Sequence, residues 1–517
     1  MLCGESCLQY SIKVVFPRAW VAGTSFGGGP TGYKRQHELR KRERRADQHG
    51  VVRERSRVSA IAMATDVYEV IVVGAGTTGA AAVYHLADAG VKNILCLEMG
   101  TPGKGRSTAG HVPGGAPLIA GEESTFEPEN SGSAVFEGGP YGPSAIKMIV
   151  TLPPYLMLDG FAEHHGWDGV KAYLDLAKRG LRIELQLASK VLPRPKEQVK
   201  QLGSLMVCEA DKVERLRREF DYLRRLGCDC EWWDKDRVVD AHGEAASFVA
   251  GIWFPGDARI DSASYARALL DAASKMGAVK LKENCAPMKS VTTIHVGHAG
   301  HAKGAEDYAE IRLEDGQVLR AKRAIVATGA MYIDEHLAGL LTPRYSYLTA
   351  LPHREAGPVG GMAAPDSPNF FTFGFSHDWC VEDDFVRISG EDHFSGLKSP
   401  KATERCGSLA KWGWHKYPYL EFGATYPQKY GLYSETADLM PLAGMPTASS
   451  RVCYMVGCNA WGQASLSFVA SLAPALLGYR ELLPPEEPGA KLCSIRRFTG
   501  KAVVASARVS HSTQSKL

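Results

Sequence analysis

The first strong pattern of apolar positions in the chain begins at Tyr68. Residues 68–73 read YEVIVV, a β-branched run that predicts a strand buried on both faces. The glycine-rich turn GAGTTG follows and leads into AAAVYHLADAG, which predicts a helix closed by Gly90. A second apolar run, NILCLE, predicts another strand that ends in Glu98. The pattern therefore predicts a strand–turn–helix–strand unit.

The turn of this unit carries three glycines with the G-x-G-x-x-G spacing, Gly74, Gly76 and Gly79. In this context the first glycine permits a tight turn, the second lets the backbone approach a pyrophosphate, and the third lets helix and strand pack closely. The helix N-terminus supplies N–H donors and a favourable dipole for phosphate. Glu98, at the carboxyl end of the second strand, can accept hydrogen bonds from an adenosine ribose. We therefore interpret the unit as a dinucleotide site rather than a glycine-rich turn without a ligand.

The fingerprint alone does not separate FAD from NAD, but the later sequence does. After Glu98 the chain continues as MGTPGKGRSTAGHVPGG, a loop of small and hydroxyl residues, where an NAD dehydrogenase would usually begin another βαβ unit. Four later blocks follow in order, at residues 251–281, 321–330, 430–444 and 452–477. With them the chain resembles the FAD-dependent amine and amino-acid oxidoreductases that include D-amino-acid oxidase, glycine oxidase and sarcosine oxidase.

The resemblance covers roughly residues 67–478 and implies a mixed α/β (α+β) fold. A Rossmann-like FAD-binding domain is interleaved with a smaller substrate domain built on an antiparallel sheet. The implied segments of the FAD domain are about 67–150, 250–335 and 430–478. Those of the substrate domain are about 151–249 and 336–429.

The fingerprint and the resemblance together imply the residues that bind FAD. They fall in the glycine turn, the loop after Glu98, and the family's later strand ends and loops. These residues are Gly74, Gly76, Thr77, Thr78, Gly79, Glu98, Arg106, Ser107, Thr108, Met288, Thr328, Gly329, Gly457, Asn459, Gly462 and Gln463.

The substrate side departs from the family pattern. Many members clamp a substrate carboxylate with an arginine where this chain has Tyr433, and sarcosine oxidases use a lysine where it has Ala464. Sarcosine oxidases attach FAD through a cysteine where this chain has Gly431, so the resemblance implies non-covalent FAD. Arg344 is the nearest cationic candidate for the clamp. Tyr433 and Trp461 are the other candidate catalytic residues, although an aromatic strand such as YSYLTAL is more often simple sheet packing.

Composition excludes several partners. The chain has 517 residues and a net charge of +3, much of it before residue 60, so the body gives no case for nucleic acid. Its twelve cysteines contain no CxxC pair, and neither a metal site nor a disulfide framework is expected. No apolar run is long enough to span a membrane.

Both ends look separate from the fold. Residues 1–62 form a basic, charge-dense extension that we expect to be disordered, and translation beginning at Met63 is the favoured explanation for it. Residues 479–517 form a tail that ends in Ser515-Lys516-Leu517, the peroxisomal address read by an import receptor. We therefore expect location in the peroxisome or a glycosome-like organelle.

Three functions remain open from the sequence. The first is an oxidase that transfers a hydride from an amino acid or secondary amine to FAD and returns electrons to oxygen as peroxide. The second is an FAD-dependent 2-hydroxy acid dehydrogenase that passes electrons to a carrier. The third is a non-catalytic flavoprotein stabilised by its FAD.

Overall fold

The computed structural model describes residues 67–102, 112–113, 146–149, 152–153, 157–242, 247–296, 306–352, 366–393, 402–417, 420–423 and 428–498. The predicted basic extension, the loop with Arg106, Ser107 and Thr108, and the terminal tripeptide lie outside these residues.

Twenty strands lie within the described residues. They are β1 (Tyr68–Val73), β2 (Ile94–Leu97), β3 (Val112–Pro113), β4 (Ile146–Ile149), β5 (Val199–Lys200), β6 (Ser204–Cys208), β7 (Glu231–Trp233), β8 (Ala250–Phe254), β9 (Ala258–Asp261), β10 (Val279–Lys282), β11 (Met288–Ile294), β12 (Tyr308–Leu313), β13 (Val318–Val326), β14 (Leu341–Pro352), β15 (Asn369–Thr372), β16 (His377–Val381), β17 (Phe385–His393), β18 (Lys429–Thr436), β19 (Leu442–Gly444) and β20 (Val452–Val456).

Ten α-helices lie within the same residues. They are α1 (Thr77–Asp88), α2 (Leu158–Val191), α3 (Pro195–Gln198), α4 (Val213–Arg225), α5 (Lys235–His242), α6 (Ser262–Lys275), α7 (Ala402–Lys416), α8 (Gln463–Ser471), α9 (Ala473–Leu476) and α10 (Glu487–Cys493).

The first sheet has eight strands and contains the predicted dinucleotide unit. Its order is β10-β2-β1-β13-β12-β11, with β20 also paired to β13 and β19 paired to β20. Strands β10, β2, β1, β13 and β20 run parallel to one another, while β11 and β12 add an antiparallel end. Parallel strands are covered on both faces, which explains their continuous apolar runs.

The predicted unit is present in the structure, although its helix begins three residues earlier than expected, at Thr77. The strand YEVIVV spans Tyr68–Val73 and is buried from Val70 onwards. Helix α1 begins directly after Gly76 and ends before Gly90, whose φ of +85° suits a residue without a Cβ. The sequence therefore placed this unit correctly because its strand, turn and helix signals all lie within one short segment.

The second sheet is largely antiparallel and has nine strands in the order β3-β18-β14-β17-β16-β15-β6-β8-β7. A third, small sheet has the order β4-β9-β5. Strand β8 pairs with β6, and β18 pairs with β14. The proposed FAD segments 250–335 and 430–478 thus each begin with a strand of the second sheet. The apolar pattern of one strand does not predict which sheet the strand joins, because its pairing partners lie far away along the chain.

Helices complete the core against the first sheet. Helices α1, α2, α6 and α8 contribute side chains to one buried cluster with β1 and β2. The Asp261 side chain accepts a hydrogen bond from Ser264 N at the start of α6 and caps that helix. In α4, Leu216 and Leu223 are buried, and Phe220 and the C-cap residue Leu226 pack against the same cluster. Helix α4 therefore presents one apolar face to the core.

Three negative findings concern the described residues alone. All ten cysteines there are free thiols. No cluster of histidine, cysteine and acidic side chains in that part of the chain could hold a metal ion. None of the described helices is long and apolar enough to cross a membrane.

Candidate cofactor and substrate site

A cavity of about 690 Å³ lies at the carboxyl ends of the parallel strands. Its walls come from the β1–α1 turn, the end of β2, residues 285–288, residues 327–333, part of β18, and the turn after β20. Ligands of open α/β sheets bind at this edge, because loops and helix N-termini meet there.

The glycine turn makes the close approach that the fingerprint requires. Gly74 has φ +99°, and a Cβ there would lie 2.6 Å from Ala327 O. A Cβ at Gly79 would lie 1.9 Å from Gly74 O. Since real Cβ atoms do not approach so closely, both positions require glycine. Gly76 and the next two residues, Thr77 and Thr78, line the cavity.

Two helices begin at this edge without a side-chain cap. Helix α1 has Gly76 at its N-cap and α8 has Gly462, and neither helix has an acidic residue in its first turn. Their N-terminal N–H groups therefore favour a negative ligand. A Cβ at Gly462 would lie 2.4 Å from Cys458 Cα, so the turn before α8 is equally compact.

Glu98 joins the end of β2 to the glycine turn. Its Oε2 accepts a hydrogen bond of 2.8 Å from Ala75 N, and its Oε1 accepts one of 2.9 Å from Gly100 N. A carboxylate oxygen has more than one lone pair, so Glu98 keeps acceptor capacity for ligand hydroxyl groups. The carboxylate lines the cavity.

Another part of the cavity wall is formed by residues 285–288 and 327–333. Met288 and Gly329 line the cavity, and Gly329 has φ +60°. The Thr328 Oγ1 atom is buried and has no hydrogen-bond partner within the described chain, although Thr328 also lines the cavity. Burial raises the pKa of the neighbouring Cys285 thiol. An unpaired buried hydroxyl indicates a place for a polar ligand group.

The turn after β20 has a different construction from the one predicted. Gly457 lines the cavity with φ +83°. Asn459 instead turns its side chain away, since its Oδ1 accepts from Thr436 N at 2.7 Å and its Nδ2 donates to Gly457 O at 3.0 Å. Asn459 thus fixes the turn, and it lies outside the described lining of the cavity.

Gln463 connects α8 to two other helices. Its Nε2 donates to Glu184 Oε1 at 2.6 Å, and its Oε1 is 3.5 Å from Thr77 Oγ1. Ser467 Oγ donates to Glu184 Oε2 at 2.8 Å. Glu184 was not among the predicted site residues. Its signal was an acidic residue in an apolar helical stripe with Ala177, Leu181 and Ala188.

The candidate substrate residues share one face of the second sheet. Arg344 lies directly opposite Tyr433 in the β14–β18 ladder. Arg344 Nη1 donates to Glu435 Oε2 at 2.5 Å, and both side chains are mostly buried. Tyr433 lines the cavity and its hydroxyl donates to Asp392 Oδ2 at 2.9 Å. The structure therefore brings Arg344 and Tyr433 together, with Glu435 and Asp392 as acidic partners that the sequence analysis missed.

Trp461 and the tyrosines of β14 have packing contacts. The Trp461 ring meets Phe371 and Phe375 edge-on, with centroid distances of 4.8 and 4.7 Å, and it is outside the described cavity lining. Tyr345 and Tyr347 are buried, and both rings stack on His393. Tyr345 and Tyr347 of the YSYLTAL strand are therefore packing residues, as the sequence analysis considered more frequent for such a strand.

These features fit an elongated dinucleotide with a negatively charged centre. The glycine cradle admits a backbone-close pyrophosphate, two uncapped helices provide N–H donors, and Thr328 Oγ1 offers an unpaired polar atom. The fold and the site thus define a dinucleotide-binding protein of the Rossmann class.

Comparison with known proteins identifies the family. The model of the family described as FAD dependent oxidoreductase matches residues 69–473. The chain belongs to this family and is an FAD-dependent oxidoreductase with FAD as its cofactor. No curated protein sequence matches the chain significantly.

Several solved structures share the fold. Glycine oxidase from Geobacillus kaustophilus is 16% identical with a TM-score of 0.56, over 81% of this chain and 96% of that one. L-proline dehydrogenase from P. horikoshii is 14% identical with a TM-score of 0.55, over 84% and 98%. A modified fructosyl peptide oxidase from Aspergillus nidulans is 16% identical with a TM-score of 0.58, over 84% and 95%.

Proposed function

We propose that the protein oxidises a small amino acid or secondary amine and returns the electrons to oxygen as peroxide. The observation that carries this proposal is the ion pair of Arg344 and Glu435. Both residues lie outside the described cavity lining, but Arg344 is the ladder partner of Tyr433, which belongs to it. A site with both signs of charge suits a substrate that carries a carboxylate and an amine. The names of the similar structures, glycine oxidase and L-proline dehydrogenase among them, support the same substrate class.

The cofactor part of the proposal assigns cavity residues to FAD. Gly74, Gly76 and Gly79 would admit the pyrophosphate, and Thr77 and Thr78 begin the helix whose N–H groups would meet it. Glu98 would accept hydrogen bonds from the adenosine ribose. Met288, Thr328, Gly329 and Gly457 line the cavity and would contact FAD toward its flavin end. Gly462 and Gln463 form the start of α8 beside them, and Asn459 shapes the turn that precedes it.

The substrate part gives each side chain a task that its contacts allow. Arg344 Nη1 donates to Glu435, and its planar guanidinium would match a substrate carboxylate. Glu435 would attract the substrate amine, and Tyr433, held by Asp392, would form the wall between the substrate and the flavin end. Bound FAD supplies the hydride acceptor and the reaction with oxygen. Trp461 would support the wall through Phe371 and Phe375.

The visible absorbance of the full-chain holoprotein tests the function. Pooled N-methyl and D-amino acids are added without oxygen, and air is then admitted. Bleaching followed by rapid recovery with peroxide is expected. A yellow protein that bleaches only with 2-hydroxy acids and recovers slowly in air would replace the proposal with the dehydrogenase.

The cellular location is a separate proposal that rests on Ser515-Lys516-Leu517, outside the described residues. Peroxide formation would suit a peroxisome, where an import receptor would read this tripeptide. Removing Leu517 from a fluorescently tagged full chain should leave the fluorescence in the cytosol. Unchanged peroxisomal fluorescence would contradict this location signal.

A further inference from the structure

Glu184 is a fully buried carboxyl group at the junction of four helices. It lies on α2, faces α8, and belongs to a region where α1 and α6 also pack. Burial raises its pKa to about 7, against hydrogen bonds from Gln463 and Ser467 that lower it. Such a group is expensive to bury as an ion without a cation.

The contacts of Glu184 are complete when the group is a neutral acid. Oε1 accepts from Gln463 Nε2. In the neutral acid, a protonated Oε2 can donate a hydrogen bond to Ser467 Oγ, and the Ser467 hydroxyl then donates to Gln463 O at 2.9 Å. In the ionised form, Glu184 would accept from both Gln463 and Ser467, but it forms no ion pair with a cation among the described residues. Because a buried ion without a cation is costly, the neutral acid is the favoured form.

The partner of Glu184 stands at the cofactor cavity. Gln463 is the first residue of α8, and its amide extends toward Thr77 Oγ1 in the first turn of α1. Thr77 and Leu466, the latter from the first turn of α8, line the cavity. The Glu184 carboxyl group is thus hydrogen-bonded to the Gln463 amide, which lies between the first turns of α1 and α8.

We propose that Glu184, as a neutral acid, is a positioning residue for FAD that acts through Gln463 on the first turns of α1 and α8. This inference rests on the FAD cofactor and is independent of the substrate. Ionisation of Glu184 would place a negative charge behind the first turns of α1 and α8, and it would change the Gln463 and Ser467 contacts.

Tyr265 of α6 is a buried titratable side chain whose pKa is raised by burial and then by the Glu184 and Tyr84 charges. On α1, His85 is also buried, and burial lowers its pKa to about 4. Lys190 of α2 stands 5.4 Å from the Tyr84 ring centroid. His85 and Tyr265 therefore stay neutral where Glu184 changes charge, near pH 7.

The test measures the FAD dissociation constant by diluting the holoprotein and recording free flavin fluorescence. Below the Glu184 pKa, at about pH 6, wild-type FAD binding is expected to be tight, and at about pH 8.5 weaker by about tenfold. Glu184→Gln mimics the neutral acid and should bind as wild type does at low pH, with no pH dependence. Glu184→Leu strands the Gln463 amide and should weaken binding about tenfold at both pH values.

Glu219 supplies a matched control. It is also buried, burial raises its pKa to about 7, and it accepts from Leu158 N at the start of α2 instead of contacting α8. Glu219→Gln should keep the wild-type pH dependence of FAD binding. A pH dependence that persists in Glu184→Gln, or one that disappears in Glu219→Gln, would overturn the proposal.

A double variant distinguishes positioning from general packing. If Glu184 acts through Gln463, Glu184→Leu combined with Gln463→Leu should bind FAD no more weakly than the weaker single variant. Additive losses would mean that Glu184 acts by another route. If the leucine variants do not fold, the pH profile of Glu184→Gln decides the question alone. All these readouts use cofactor binding, so an incorrect substrate class would leave them unchanged.

Discussion

Gly180 of α2 lies so close to Ala464 of α8 that a Cβ at position 180 would stand 1.7 Å from the Ala464 carbonyl oxygen. This contact lets the two helices meet one turn away from the Glu184–Gln463 hydrogen bond. We expect Gly180→Ala to separate the helices and to lower the free energy of unfolding by about 3 kcal/mol, because added volume in a packed interior is destabilising. Thermal unfolding of the holoprotein measures the effect.

Gly256 provides the control for this substitution. It is exposed, and a Cβ there would have no atom within 4 Å. Gly256→Ala should change the free energy of unfolding by less than about 0.5 kcal/mol. Equal stability of the two variants would show that the helices tolerate the added methyl group.

The two buried glutamates should make stability depend on pH. The pKa of Glu184 and that of Glu219 are each raised from 4.5 to about 7 by burial. A raised carboxyl pKa gives stability that is complete below the unfolded value and is lost as pH rises through the folded value. The wild-type free energy of unfolding, measured by urea unfolding in excess FAD, should therefore fall as pH rises from about 4.5 to about 7, by at most on the order of 3 kcal/mol per group.

Glutamine variants show which of the two glutamates causes this loss of stability with rising pH. The Glu184→Gln and Glu219→Gln midpoints should each fall less than wild type over the same pH range, and the double variant least. Parallel curves for all four proteins would show that other groups cause the pH dependence.

Gly76→Leu tests the cofactor site directly. Gly76 lines the cavity at the N-cap of α1, so a leucine side chain would occupy space next to the helix start. The variant should purify folded but without flavin absorbance, which circular dichroism and visible spectra measure together. A yellow protein with wild-type flavin content would contradict the placement of FAD.

The sequence predicted those parts of the fold that depend on neighbouring residues. The strand from Tyr68 and the turn at Gly74 are local signals, and the structure has both. The Glu184–Gln463 contact joins residues far apart in the chain, and only folding brings them together. Asn459 shows the other limit, since its position beside Gly457 suggested a cofactor contact while its amide forms the turn itself.

Arg344→Lys tests the substrate proposal. Lysine keeps the charge opposite Glu435 but loses the planar group that matches a carboxylate. The KM for the amino-acid substrate should rise about tenfold or more, with a smaller change in kcat and unchanged FAD content. Steady-state kinetics with the substrate found by bleaching measures both constants.

The control uses another buried arginine of the same sheet. Arg387 donates to Asp378 Oδ1 at 2.9 Å, and unlike Arg344 it is not the ladder partner of Tyr433, which lines the cavity. Arg387→Lys should leave KM within about twofold of wild type, because a substitution away from the substrate site changes stability rather than substrate binding. A similar KM in the two variants would remove Arg344 from the substrate site.

Denaturation should release the flavin intact, because the cysteines that line the cavity are poor nucleophiles. Burial raises the pKa of Cys458 to about 11 and also raises the pKa of Cys285, so neither thiol forms much thiolate at neutral pH. The β18 position from which sarcosine oxidases attach FAD is Gly431, two residues before Tyr433 in the ladder with β14. Acid precipitation of the holoprotein should therefore leave all FAD in the supernatant, measured by its absorbance and fluorescence. Flavin that stays with the precipitated protein would mean a covalent bond to another residue and would require a different cofactor arrangement.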